Sequence, residues 1–263
     1  MRRSIIASLS FATLLATPAA AAGILDGTWK IDLGATQLPK KPDVFLLDKG
    51  SFTCSSCTPA YTIKADGAMH PVAGHDYIDA TSIKVVDPHT FVETSGKGGK
   101  ALYKTTSTVS ADGKTLTYEF VDTSAPNGVA VTGKGIETRV APAPAGAHIA
   151  SGSWRTSSMT GMSDSGLKIS FTTTPDTISM VTPTAQSYTA RFGGPAVPIK
   201  GDPAMTMAAV TKVGTHGFVE TDTRKGKVVS VATITIAPDD KTMNVVVKDM
   251  KAGTTTTYKA IKE

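Results

Sequence analysis

The clearest candidate for redox or metal chemistry is the single cysteine pair, Cys54-Ser-Ser-Cys57. A redox-active Cys-x-x-Cys pair normally stands at a helix N-terminus, which lowers the thiol pKa. The residues that follow here, Thr58-Pro59-Ala60-Tyr61, instead indicate a turn that enters a strand. We therefore favour a local structural disulfide over a redox role, and a redox role over metal ligation. Thr58 stands where haem attachment requires histidine.

Methionine and histidine together suggest a copper site. The pairs Met159-x-x-Met162 and Met205-x-Met207 carry soft thioethers, which select Cu(I), and His216 could complete such a site. Methionine also fills irregular core space. Alternate positions on a strand would place Met205 and Met207 on one face, whether that face is core or ligand site. We favour core packing and predict no metal and no cofactor.

One histidine and one glutamate recur in both halves of the chain. His89 and His216 each precede Phe-Val-Glu-Thr, which places Glu93 and Glu220 at matching positions. A duplicated catalytic base is one interpretation, but a turn histidine bonded to local backbone is favoured. One carboxylate per half, with no visible partner, is a poor acid/base pair. Since hydrolase, phosphate-loop and dinucleotide motifs are also absent from the sequence, we predict that the protein is not an enzyme.

These residues belong to a tandem duplication. The segments 61–122 and 188–249 align without a gap at an offset of 127 residues, and Gly27-Thr-Trp29 matches Gly152-Ser-Trp154. Ala141-Pro-Ala-Pro-Ala-Gly-Ala147 lies between the copies and has linker composition. We predict one repeat over 23–143 and a second over 144–263.

Each copy is predicted to be a meander of antiparallel strands, because short Thr/Val/Ile-rich runs alternate with turn residues and helical periodicity is nearly absent. Leu116, Tyr118 and Phe120 share one strand face, as do their counterparts Met243, Val245 and Val247. Asp112-Gly113 predicts a hairpin with a primed turn. The expected fold is all-β: two tandem antiparallel up-and-down barrels of about eight strands each.

The N-terminus predicts export. Arg2 and Arg3 precede an apolar run and a small-residue stretch, so residues 1–22 are interpreted as a signal peptide cleaved near Ala22, and we expect a periplasmic or secreted chain. No later segment is long and apolar enough for a membrane span. Of 263 residues, the remainder carries 25 basic against 22 acidic side chains, a net charge of +3. Its lysines are scattered without an arginine-rich run, so nucleic acid is not expected as a partner.

Gly27-Thr28-Trp29 and Gly152-Ser153-Trp154, each opening a run of strands, resemble the Gly-x-Trp that begins the first strand of lipocalins. Closer still is the resemblance to short exported lipocalin-like (calycin-type) bacterial proteins of unknown role, through Gly98-Gly99-Lys100 and Ser110-Ala-Asp-Gly-Lys-Thr-Leu-Thr117. The resemblance covers nearly the whole mature chain and implies a fold without an activity. It also implies that a basic residue from the last strand covers each tryptophan. That residue is Arg139 in copy one and Lys259 or Lys262 in copy two.

The leading functional hypothesis is an exported, non-enzymatic binding protein with a small, largely apolar ligand in one or both barrels, because small barrels have interior space for side chains or for one ligand. A structural or interaction module of the cell envelope is the alternative, since duplication raises effective concentration at paired targets. A copper- or redox-handling role ranks third. The sequence points to no particular protein partner.

Overall fold

A computed structural model of the protein describes residues 23–263, so the predicted signal peptide at 1–22 lies outside the described residues. The described chain is all-β apart from one short 3-10 turn at Asp164–Gly166. Its strands form two antiparallel sheets, and each sheet curls into a nearly closed barrel. The predicted all-β fold with two tandem barrels is therefore confirmed.

Barrel 1 is built from one continuous stretch of chain. Its strands are β2 (Asp43–Asp48), β3 (Ser51–Cys54), β4 (Tyr61–Lys64), β5 (His70–Pro71), β6 (Ala80–Val85), β7 (Thr90–Lys97), β8 (Lys100–Val109), β9 (Thr115–Asp122), β10 (Val131–Ala141) and β11 (Gly152–Met162).

Barrel 2 combines the first strand of the chain with the last nine. Its strands are β1 (Gly27–Gln37), β12 (Lys168–Thr173), β13 (Thr177–Val181), β14 (Ser187–Arg191), β15 (Val197–Pro198), β16 (Met207–Val213), β17 (Gly217–Arg224), β18 (Lys227–Ile236), β19 (Thr242–Asp249) and β20 (Thr254–Lys262). Each sheet thus has ten strands where the sequence predicts about eight. Two-residue strands such as β5 and β15 are too short to show any periodicity.

The two sequence repeats exchange their first strands. β1 lies between β12 and β20 of barrel 2, and its counterpart β11 lies between β2 and β10 of barrel 1. The chain therefore crosses between barrels at 38–42 and at 163–167. The Pro/Ala-rich segment 141–147, which the sequence predicts as the boundary between repeats, joins β10 to β11 within barrel 1. The repeats 23–143 and 144–263 are units of sequence, and sheet pairing does not follow them.

Each barrel has its own apolar core. Leu116 on β9 is buried in barrel 1 and Met243 on β19 is buried in barrel 2, so the predicted inward face is the same in both copies. The turn before β9 differs from the primed turn that the sequence predicts. Residues 110–114 form a longer loop in which Gly113 has a positive φ of 70°, and Asp240 adopts a φ of 55° at the matching position.

Charged side chains join the barrels. Asp76 of barrel 1 accepts hydrogen bonds from Arg224 Nη1 (3.0 Å) and Lys251 Nζ (2.9 Å), both from barrel 2, and Arg224 also donates to the Tyr77 hydroxyl. Within the described part of the chain, no helix has the length and apolar character that a membrane span requires.

Candidate functional site

The interior of barrel 1 contains a cavity of about 310 Å³. Inward-facing positions of seven strands supply its walls, because successive side chains of a strand point to opposite faces. Its apolar lining is dominated by aromatic rings: Phe45, Phe52, Tyr61, Phe91, Tyr118 and Phe120. This is a space of the size that a small organic ligand occupies.

Three phenylalanines form one side of the cavity. The ring centroid of Phe45 lies 5.7 Å from that of Phe52 and 5.6 Å from that of Phe91, and the three rings are tilted against one another. Tilted rings at these separations attract through their quadrupoles. The cluster is therefore a fixed wall.

The disulfide between Cys54 and Cys57 lies beside this wall, and both cysteines contact the cavity. The two serines between them are tied to β2, since the Ser55 amide donates to the Val44 carbonyl and the Ser56 hydroxyl accepts from the Val44 amide (both 2.9 Å). The predicted structural disulfide is confirmed as a covalent bond. It holds the loop that borders the cavity.

Three carboxylates also line the cavity: Glu93, Glu137 and Asp43. Glu137 on β10 is only 9% exposed, and burial, reinforced by the charge of Asp43, raises its pKa to about 7. Burial also raises the pKa of Glu93. Asp43 is exposed at the start of β2 and marks the mouth of the cavity. The cavity is thus lined by carboxyl groups as well as aromatic rings, and burial favours the protonated form of Glu93 and Glu137.

Barrel 2 provides an internal comparison, because strand register identifies the matching positions. Asp43 pairs with Trp154 in barrel 1, and Ile169 pairs with the matching Trp29 in barrel 2, so Asp43 corresponds to Ile169. In the same way, Glu137 pairs with Leu116 and Ala260 pairs with the matching Met243, so Glu137 corresponds to Ala260. Thr105 and Ser107 likewise match Ala232 and Ile234. Four polar positions in the barrel 1 cavity are thus apolar in barrel 2, where Ile169, Ile234 and Ala260 are buried core residues.

The paired glutamates Glu93 and Glu220 have similar surroundings in the two barrels. Glu220 is buried and accepts a hydrogen bond from the Tyr188 hydroxyl, and burial together with the Asp222 carboxylate raises its pKa to about 7. Glu93 lies near the matching tyrosine, Tyr61, and accepts from Ser95 at 3.3 Å. Each of these two glutamates has a tyrosine neighbour inside its barrel, and the alignment of the two repeats did not identify that tyrosine as a partner.

Each tryptophan is fully buried and carries a basic side chain over its ring. Arg139 lies 3.9 Å from the centre of Trp154, and Lys262 lies 5.2 Å from the centre of Trp29. A basic side chain therefore covers each tryptophan, but strand exchange gives each basic residue the tryptophan of the other repeat. Lys262 takes this place in barrel 2; Lys259 is exposed on the opposite face of β20.

The histidine and methionine candidates do not converge on a site. His89 bonds through Nδ1 to the Val109 carbonyl (3.1 Å), and His216 bonds to the Thr215 hydroxyl. Met205 is 76% exposed in a turn, so it does not share a strand face with Met207, the first residue of β16. Among residues 23–263 no cluster of three or more His, Cys, Asp or Glu is arranged to hold a metal.

Comparison of the chain with protein-family models found no match, and comparisons with curated proteins and with solved structures likewise found none. The geometry of barrel 1 therefore carries the functional argument.

Proposed function

We propose that the protein is an exported binding protein of lipocalin-like architecture, and that barrel 1 holds one small, largely apolar ligand. The observation that carries this proposal is the aromatic-lined cavity inside barrel 1. Export is supported by the N-terminal sequence, and the lipocalin-like assignment by the Gly-x-Trp motifs with their covering basic residues.

The internal comparison supports barrel 1 as the binding unit. Ser107 faces the cavity, whereas the matching position in barrel 2 holds the buried side chain of Ile234. A large apolar side chain at this position occupies interior space that a ligand would need. Barrel 1 keeps that space free.

Titration with N-phenyl-1-naphthylamine, a neutral aromatic probe whose fluorescence rises in apolar surroundings, tests the proposal. Ser107→Ile copies the barrel 2 residue into the cavity and should weaken probe binding by about tenfold, or about 1.4 kcal/mol. Ile234→Val in the core of barrel 2 is the matched control and should leave the affinity unchanged. Absence of saturable binding, or equal effects of the two substitutions, would refute the proposal.

A further inference from the structure

We infer that the ligand of barrel 1 is an organic cation, an amine or quaternary ammonium with an aromatic or branched apolar body. This inference rests on the proposed function and adds the charge of the ligand to it.

The two barrels carry different residues at matching positions of their interiors. Asp43 and Glu137 flank the cavity of barrel 1, and the matching residues of barrel 2 are Ile169 and Ala260. The shared fold therefore does not require a carboxylate at either position. Barrel 2 has a carboxyl pair of its own on β17, the buried Glu220 and the half-buried Asp222. The positions of Asp43 and Glu137 carry carboxyl groups only in the barrel that has the aromatic-lined cavity, which indicates a role for these two groups in binding.

Within the described residues, Glu137 has no cationic partner. Among residues 23–263, no ion pair includes Asp43, Glu93 or Glu137. Thr156 on β11 is the sole hydrogen-bond donor to the Glu137 carboxylate within these residues, at 3.5 Å. Burying an ionised carboxylate without a counter-charge costs folding free energy. Removing the partner of a buried charge destabilises a protein for the same reason.

The nearest basic side chain on the same strand cannot serve as that partner. Arg139 covers Trp154 and donates to the backbone carbonyls of Gly113, Ser151 (2.8 Å) and Ile149 (2.6 Å). Its guanidinium is thus engaged at the end of the barrel. A proton neutralises the Glu137 carboxylate below about pH 7. Once that proton has left, no basic side chain among residues 23–263 is paired with the carboxylate, and a cationic ligand can supply the compensating charge.

Aromatic rings line the same cavity as the carboxyl groups, and Phe45 and Phe91 lie next to Asp43 and Glu93 on the same face of β2 and β7. Phe45, Phe52 and Phe91 present aromatic rings to the same cavity that the carboxylates line. Aromatic rings attract organic cations through their faces, and such walls recognise quaternary ammonium groups. A hydrated metal ion requires several oxygen ligands, which phenylalanine rings do not supply.

The surroundings and the raised pKa of the Glu137 carboxyl predict that the affinity for a cation depends on pH. Glu137 faces Asp43 on β2, Tyr118 on β9 and Thr156 on β11, and burial raises its pKa to about 7. A bound cation favours the ionised carboxylate, so it lowers this pKa and binds more tightly when the proton has left. Affinity for a cation should rise as the pH increases through about 7, whereas affinity for a neutral ligand should not.

Competition against N-phenyl-1-naphthylamine with two isosteres, trimethylanilinium and tert-butylbenzene, tests the inference on the full chain. They share shape and differ in charge. We expect wild type to prefer the cation by about tenfold at about pH 8 and to lose most of this preference at about pH 5.5. Glu137→Gln should remove the preference and retain tert-butylbenzene binding. Asp43→Asn, at the exposed mouth of the cavity, should reduce the preference for the cation. This variant tests the inference if Glu137→Gln does not fold.

Glu119→Gln is the matched control, because Glu119 is an exposed carboxylate on the neighbouring strand β9. It changes the net charge equally and should leave the preference intact. Equal affinity of wild type for the two isosteres, or equal effects of Glu119→Gln and Glu137→Gln, would overturn the cationic ligand while the proposed function stands. Failure of both isosteres and of the neutral probe to bind would overturn the proposed function itself.

Discussion

The two tryptophans are buried in the same way, but their basic partners are bonded unequally. Both indole N–H groups donate to a carbonyl four residues upstream, Trp154 to Ala150 (2.7 Å) and Trp29 to Leu25 (2.8 Å). Arg139 donates to three carbonyls near Trp154, whereas Lys262 donates to one, that of Ile24 (3.0 Å). Arg139 should therefore stabilise barrel 1 more than Lys262 stabilises barrel 2.

Arg139→Met is expected to lower the free energy of unfolding of barrel 1 by about 3 kcal/mol, because charge-assisted hydrogen bonds and a cation–π contact are lost together. Lys262→Met, the matched change in barrel 2, should cost about 1 kcal/mol. Urea denaturation followed by tryptophan fluorescence measures both, since each barrel contains one of the two tryptophans. Equal losses of unfolding free energy in Arg139→Met and Lys262→Met would contradict the stronger stabilisation by Arg139.

Glu137 should make stability depend on pH. Its pKa of about 7 in the folded protein lies above the ordinary value near 4.5, so the folded state holds the proton more tightly than the unfolded state. The stabilisation is present below the ordinary value and is lost as the pH rises through about 7. Relative to wild type, Glu137→Gln should be about 2 kcal/mol more stable at about pH 8 and similar at about pH 4. A stability difference independent of pH, measured by urea denaturation, would contradict the burial of this charge.

Some residues of the site follow from sequence and others do not. The cysteine pair and the repeated glutamates are visible as motifs; the structure shows the cysteines in a disulfide and each glutamate beside a tyrosine. Glu137 could have been found through strand parity, because it lies two residues before Arg139 and a strand places both on one face. Asp43 follows two lysines and a proline, a context that indicates a solvated loop.

At the scale of strands, the exchange of β1 and β11 is the main departure from expectation. Both strands begin with Gly-x-Trp, and each pairs with the last strand of a sequence repeat, β1 with β20 and β11 with β10. Sequence pattern predicts such a strand and its inward face. It does not choose between two equivalent slots, since that choice depends on the short segments 38–42 and 163–167.

A designed cross-link tests the exchange. Thr28 on β1 pairs with Ser170 on β12, and their side-chain oxygens lie 3.0 Å apart. Thr28→Cys with Ser170→Cys, in a Cys54→Ala/Cys57→Ala background, should form an intramolecular disulfide on oxidation, identified by peptide mass mapping. Thr28→Cys with Val44→Cys is the control, because Val44 pairs with Ser153 of β11. Cross-linking in the control pair but not in the first pair would show that each repeat keeps its own first strand.

At the scale of the whole molecule, duplication has produced two barrels with the same scaffold and different interiors. Barrel 2 fills the matching positions with Ile169, Ile234 and Ala260, whereas barrel 1 has an aromatic and acidic cavity. The duplication and the barrel architecture were predictable, because periodicity and turn residues are local signals. The cavity was not, because it depends on how side chains from seven strands meet.

The crossing strands and the ion pairs of Asp76 with Arg224 and Lys251 tie the barrels to each other. Strand β1 also finds both of its partner strands, β12 and β20, in barrel 2. Under the proposed function, barrel 1 is the binding half of the molecule and barrel 2 its structural half.

A crystal structure of the full chain soaked with N-phenyl-1-naphthylamine tests this division most directly. The account predicts one probe molecule inside barrel 1, against Phe45, Phe52 and Phe91, with the core of barrel 2 unchanged. A probe bound inside barrel 2, or on the outer surface with the barrel 1 cavity closed by its own side chains, would contradict it.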